Sequence, residues 1–523
     1  MARDNWRDRT EKTTGVAVIL ALAIAVFSWS TAKADVVIPA EKATIRTEGG
    51  PASGGGWNLW SNGYVGQPIR VATAGEYGVV VRAWGSPAGG VWPEMALLVD
   101  GRAVKTVSVG QAEAKDYSFQ VELTTGDHEI AAAFLNDGLI GNEDRNLYLA
   151  RITIIPPSGA PDPAFPSLQE MAEAAEARER EVVAATKSAI EKNRKAEATI
   201  RVVDAEGRPV PDVRLTVEQT GHDFLFGANI FGFDRYRTET QNAAYKKRFE
   251  ELLNYATVGF YWRWYERERG QPNYEYTDKV VAWCREHGIR MKGHPLLWAD
   301  EAGIPMWSQG QPAPELQRRR VEEILRRYGG KIEFWEVVNE PSHLPSLKID
   351  EPYRWARQAD PNAYLIVNDY HVLPDGGPAF FKLLSEANQN GVPFDGIGIQ
   401  AHEPRTMRFP LDRVQKILDQ YATLGKEIHI TEFEPAASGQ KITGSHREGT
   451  WDEAAQAEYA VKFYRVSFAH PAVRAITWWD LGDQGSFIPG GGMLREDLSP
   501  KLVYEQLKRL IHEEWKTRVS GTT

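Results

Sequence analysis

After His222 the chain falls into a repeat. Apolar, strand-like runs occur at Phe224–Ile230, Tyr255–Phe260, Ile289–Leu297, Ile332–Asn339, Ala363–Asp369, Phe394–His402, Glu427–Phe433 and Val473–Asp480, with helical, charge-rich stretches between them. Eight strands alternating with helices over residues 221–515 predict a (β/α)₈ barrel. A doubly wound open sheet is the competing topology. It would place a Gly-rich phosphate loop after a strand, and no strand here is followed by one.

The segment before the barrel has a different texture. Residues 35–157 alternate over short runs such as Tyr77–Arg82, Met95–Val99 and Tyr148–Ile154, with turns at Gly49-Gly50, Gly54-Gly55-Gly56, Gly89-Gly90 and Asp100-Gly101. That pattern predicts a β-sandwich domain. Residues 158–196 form a Pro-rich linker and then a bridging helix, opened by a capping box at Ser167 and Glu170. Residues 197–220 read as a small hairpin leading into the barrel. Residues 1–34 read as an export signal. Basic residues Arg3, Arg7, Arg9 and Lys12 precede an apolar run from Gly15 to Phe27, and Ala32-Lys33-Ala34 is a cleavage pattern. That run falls short of the roughly 20 residues that span a bilayer. A protein secreted or periplasmic, off the membrane once the signal is cleaved, and monomeric is expected.

Composition narrows the function. The formal net charge is −10 and there is no long basic run, which argues against a nucleic-acid partner. Cys284 is the one cysteine, so neither an intrachain disulfide nor a Cys-based zinc site can form. The 17 Trp and 19 Tyr supply flat amphipathic rings of the kind that cover sugar faces as well as fill cores.

In a barrel of this type functional groups lie at the C-terminal ends of the strands. Those ends read Gly293-His294-Pro295-Leu296-Leu297-Trp298, Trp335-Glu336-Val337-Val338-Asn339-Glu340-Pro341, Val367-Asn368-Asp369-Tyr370, Gly398-Ile399-Gln400-Ala401-His402, Ile430-Thr431-Glu432-Phe433-Glu434 and Thr477-Trp478-Trp479-Asp480. Carboxylates facing each other among Trp, His, Asn and Gln are the equipment of a glycosidase. One carboxylic acid protonates the leaving oxygen, and one carboxylate attacks the anomeric carbon or activates water. Trp478 and Trp479 are adjacent and should point oppositely, one to the core and one to a sugar. Periodicity does not say which sugar.

This ordered set of strand ends resembles glycoside hydrolase family 10, best known for retaining endo-1,4-β-xylanases on a (β/α)₈ barrel. The resemblance implies Glu340 as acid/base and Glu432 as nucleophile, with Glu434 the rival in the second role. It further implies Asn339 on a hydroxyl beside the cleaved bond, His294 and Gln400 holding that sugar, His402 orienting the nucleophile, Trp479 as an aromatic floor and Trp298 nearby. Catalysis would need no cofactor. The chain departs from the family after the second strand, where Glu-Asn-x-Met-Lys-Trp is usual. Here Phe260 stands at the Asn position and Arg263 at the Lys position; Ala299 and Phe487 also differ from the common pattern. The expected substrate is the β-1,4-xylan backbone or a related plant cell-wall polysaccharide. The alternatives are a decorated xylan or other β-1,4-glycan, or a binding protein that no longer cleaves.

The N-terminal sandwich resembles the carbohydrate-binding modules of families 35, 36 and 60, which use calcium. That resemblance points to Asn136, Asp137 and Asp144 as oxygen ligands for Ca²⁺. The same residues would also serve as turn caps.

Overall fold

The computed structural model describes residues 35–140, 142–445 and 447–523. The export signal expected over residues 1–34 lies outside them. Among the described residues no helix is long and apolar enough to cross a membrane.

Eight parallel strands close into the barrel: Leu225–Asn229, Tyr255–Gly259, Arg290–His294, Phe334–Asn339, Tyr364–Asp369, Gly396–Ala401, Glu427–Phe433 and Val473–Trp478. The first strand pairs with both the second and the eighth, which closes the ring. These runs are nearly all buried, because helices cover the outer face and side chains fill the inner one. The helix Pro314–Tyr328 shows how the outer layer is encoded. Proline opens it, and Gln317, Arg320, Val321, Ile324, Leu325 and Tyr328 make a buried stripe at helical spacing. Cys284 is buried in such a stripe on Tyr274–Glu286.

The N-terminal domain is a sandwich of a seven-stranded and a five-stranded sheet. Between them lies a core that includes Leu59, Ile69, Tyr77, Val79, Leu97, Ile130 and Ile152. The five-stranded sheet buries its other face too. Tyr64, Ala96, Leu98, Ala131 and Ala133 form a second cluster that packs against Ala379 of the barrel helix Pro378–Gln389. Small side chains there let the sheet approach the helix closely. Polar contacts surround the patch: Arg413 donates to Tyr64 Oη at 3.0 Å and to Glu129 Oε2 at 2.7 Å, and Lys382 Nζ to Glu94 Oε2 at 2.9 Å. The sandwich is therefore seated on the barrel.

The bridging helix runs Leu168–Arg194, with the capping box formed as the sequence predicts. It is docked rather than free. Buried Glu179 receives Arg408 and Lys462, and Arg194 donates to the carbonyls of Phe468, His470 and Val473. The hairpin expected within residues 197–220 does not form as such. Val203 and Pro209 share one bridge, whereas Arg214–Glu218 pairs antiparallel with Arg518–Thr522 at the other end of the chain. A strand needs an edge of matching length, and the nearest one in space comes from 300 residues away.

Candidate active site

The fourth strand delivers Asn339 and Glu340 to the mouth of the barrel. Successive residues of a regular strand point to opposite faces, and two local irregularities overcome this. The pairing register with the fifth strand breaks between Glu336 and Asn339, and Glu340 adopts φ +57°, a left-handed conformation rare outside glycine. Glu340 N donates to Asn368 O at 2.9 Å, which anchors the kink.

Two donors hold the Glu340 carboxyl. Trp298 Nε1 reaches Oε2 and Gln400 Nε2 reaches Oε1, both at 2.9 Å. Burial pushes this carboxyl up to about 7 and the Asp369 charge adds to the rise, while the two hydrogen bonds oppose it. Asp369 is fully tied down, accepting from Ser342 N, His343 Nδ1 and Tyr370 N.

Glu432 enters from the seventh strand, level with Gln400 on the sixth. Asn368 Nδ2 donates to its Oε1 at 3.0 Å, and His402 Nε2 stands 3.5 Å from Oε2. Burial, then the Glu336 and Glu340 charges, push Glu432 well above the usual carboxylate range; Lys292 and the Asn368 amide pull the other way. With both carboxyls raised and close enough to feel one another, the pair titrates as a unit. Burial and the Arg405 charge hold His402 down at about 3, so its ring is neutral. Its Nδ1 is buried without a partner among the described residues, which leaves the proton on Nε2, facing Glu432 Oε2 and Gln400 Oε1.

Behind the pair lies a buried charged chain that sequence reasoning did not assemble. Lys292 Nζ and His294 Nδ1 both hydrogen-bond the Glu336 carboxylate, and all three side chains are buried. His294, Glu336 and Glu432 bring potential ligand atoms within 4.8 Å of one another, but Lys292 already supplies the cation there. Tyr261 Oη lies 3.1 Å from His294 Nε2 and donates to it, so both ring nitrogens of His294 have protein partners.

The other expected residues distribute as follows. Trp479 lies at the floor, edge-on to His294 at 5.3 Å and to His402 at 6.1 Å, while Trp478 is in the core with its indole on Gly491 O. Asn339 accepts from Asn368 Nδ2 at 2.9 Å. Phe487, exposed, lies tilted at 34° to the His402 ring, 5.1 Å between centroids. Arg263 stands apart, paired with Glu301 at 2.9 Å. Glu434 is buried beside Asp480, Asp483 and Lys501 rather than beside Glu340. Asn368, Tyr261, Lys292 and Glu336 are the functional candidates missed as site residues. Asn368 and Glu336 carried a signal, each being a polar residue of a strand end; Tyr261 and Lys292 are recognisable only through their partners.

In the sandwich, Asn136 spends its amide on Glu94 N and Trp92 O, bracing two loops. Arg145, from the same region, donates to the carbonyls of Ala88, Val91 and Asn136. Asp137 and Asp144 fit a hard cation better. Burial raises the Asp137 carboxyl to about 6 with the Asp144 charge contributing, and the buried Asn146 Oδ1 next to Asp144 has no hydrogen-bond partner among the described residues.

Residues 221–509 match the model of glycosyl hydrolase family 10, and residues 78–165 match a module described as a Ca-dependent, xylan-binding carbohydrate-binding module. Endo-1,4-beta-xylanase B of Thermotoga neapolitana is 28% identical over 296 residues, 51% of this chain and 83% of that protein. Endo-1,4-beta-xylanase 2 of Arabidopsis thaliana is 29% identical over 284 residues, again 51% of this chain, which spans only 25% of that much longer relative. Native xylanase 10B from Thermotoga maritima superposes with a TM-score of 0.48 at 24% identity, covering 56% of this chain and 96% of that one. With its family model matched over more than half its length, the chain belongs to glycosyl hydrolase family 10.

Proposed function

We propose that this protein is an exported endo-acting xylanase working with retention of configuration, with Glu340 as acid/base and Glu432 as nucleophile. The observation that carries the reading is the link between the two carboxyls. Gln400 donates to Glu340 and accepts from His402, whose Nε2 also faces Glu432.

In the first step the Glu340 proton passes to the glycosidic oxygen as its bond to the anomeric carbon breaks. A Glu432 oxygen bonds that carbon from the opposite face. In the second step Glu340 takes a proton from water, the hydroxide adds to the same carbon, and Glu432 leaves as carboxylate. Glu340 must begin protonated and Glu432 ionised. Burial raises both carboxyls, so the pair holds a proton between them; the neutral His402 N–H, the Asn368 amide and nearby Lys292 favour placing the charge on Glu432 and the proton on Glu340. A retaining pair needs carboxyls about 5–5.5 Å apart once the substrate is bound.

Trp479 and Trp298 would face the sugar ring, and Asn339 would offer its Nδ2, which has no hydrogen-bond partner among the described residues. His294 would act through the Tyr261 hydroxyl. In the seated module, Asp137, Asp144 and Asn146 Oδ1 would hold Ca²⁺, which supplies a point of attachment for sugar hydroxyls.

The test is reducing-end release from glucuronoxylan, arabinoxylan, mixed-linkage glucan and mannan, beside Glu340→Gln and Glu432→Gln. Cleavage of xylan, lowered at least about 10²–10⁴-fold in each variant, is the expected result. Glu340→Gln should keep activity on an aryl xyloside whose phenol leaves unprotonated, and Glu432→Gln should not. Silence of the folded wild-type protein on every polymer would overturn the reading.

A further inference from the structure

A cavity of about 810 Å³ opens beside the first and second barrel strands, within the roughly 300–1,000 Å³ typical of small-molecule sites. Three features of the second strand end leave this space open. Gly259 has no side chain, and a Cβ there would sit 3.0 Å from the Phe231 ring. Phe260 turns outward into the layer between the barrel and its helices, where Tyr265, Tyr328 and Trp335 surround it at 5.3–5.5 Å. Arg263 is drawn away to Glu301.

The cavity shares its inner wall with the catalytic site. Tyr261 lines it and hydrogen-bonds His294; Phe231 lines it and meets Trp479 edge-on at 5.7 Å. A branch on a sugar lying over Trp479 therefore has one ring's thickness to cross. Trp264 and Tyr276 add aromatic surface to the remaining walls.

Two guanidinium groups also line it, Arg235 and Arg267. Arg235 lies over the Tyr276 ring at 4.3 Å, and among the described residues neither arginine has a carboxylate partner. The one carboxylate on the lining, Glu268, takes the Gln271 amide at 3.0 Å. Two guanidinium groups without a carboxylate partner on one aromatic cavity give it the donors that an anion needs. Aromatic faces accept the flat side of a pyranose, and a guanidinium fork matches a carboxylate.

We propose that this cavity receives the uronic acid branch of an acidic xylan, with its carboxylate on Arg235 and Arg267. The proposal rests on the xylanase reading above and adds the substituent that the enzyme selects.

The experiment compares glucuronoxylan with the same polymer after carboxyl reduction, which converts each uronic acid to its neutral sugar. The wild-type kcat/KM should be about tenfold higher on the acidic polymer, the scale of one charged hydrogen bond, and the preference should shrink as salt rises. Arg267→Gln, at an exposed side chain, should erase the preference through KM while leaving cleavage of the reduced polymer unchanged; Arg235→Gln should act likewise. Equal wild-type rates on the two polymers, or variants that slow both alike, would overturn the proposal. Calorimetry separates it from the hydrolase reading. A xylo-oligosaccharide bearing one glucuronic acid should bind the Glu340→Gln protein about tenfold more tightly than its unbranched counterpart, and Arg267→Gln should abolish the difference. Equal binding sinks the receptor whether or not any polymer is cleaved.

Discussion

Gln400 Nε2 donates to Glu340 Oε1 at 2.9 Å while its own Oε1 lies 3.2 Å from His402 Nε2. One amide thus ties the proposed acid to the ring that faces the proposed nucleophile. Gln400 stands on the sixth strand and reaches across the fifth to the acid on the fourth, so the two carboxyls are linked through one side chain.

Glu340 works as an acid only while protonated, and burial places its titration at about 7. The basic limb of kcat/KM should therefore fall as pH rises through about 7. The Trp298 N–H favours the ionised carboxylate, so Trp298→Phe should move that limb to higher pH. A pH profile of kcat/KM for the two proteins checks it, and an unmoved limb would show that the indole contributes packing alone.

Asn368 is a positioning residue. It donates to Glu432 Oε1 and Asn339 Oδ1 and accepts from Thr431 Oγ1. Asn368→Asp keeps the shape but sets a carboxylate against Glu432, which must then titrate higher. The acidic limb of kcat should shift upward, and kcat should fall about 10²–10³-fold, the cost typical of losing one preorganised donor. A merely structural role would lower kcat without moving the limb.

Lys292 compensates a carboxylate that has no access to water. Lys292→Met strands the Glu336 charge and should cost about 3–5 kcal/mol in denaturant unfolding, whereas adding Glu336→Leu should recover most of the loss. Activity should stay low in the double variant, because His294 loses the acceptor that fixes its tautomer.

Calcium should raise the melting temperature and a chelator should lower it. At a free concentration a hundred times Kd the stabilisation is about 2.7 kcal/mol. Asp137→Asn with Asp144→Asn should remove the response, while Asn136→Ala should destabilise the loops and leave the response intact. Wild-type protein that melts identically with and without chelator would remove the metal from the account.

Much of the chemistry was legible before any fold was known. Strand ends of a barrel are the places where carboxylates can face each other, and the resemblance to family 10 singles out Glu340 and Glu432 among the several carboxylates there. Trp298, Gln400 and His402 follow by the same rule, and the structure gathers all of them around the two carboxyls. Arg263 shows the limit: its charge suits a sugar, but Glu301 on a neighbouring loop takes it, and local sequence does not carry that pairing.

The sequence by itself determined the repeat of strands and helices, the all-β segment ahead of it and the polar residues at each strand end, because these depend on local periodicity and turn chemistry. Only the tertiary structure decided three further things. It seated the sandwich on the barrel through the alanine face of one sheet, paired Arg214–Glu218 with the last strand of the chain, and built the chain Tyr261–His294–Glu336–Lys292. Each joins groups remote in sequence or lying on different strands, and their energies come from burial and pairing across space, for which the order of residues along the chain carries no local mark.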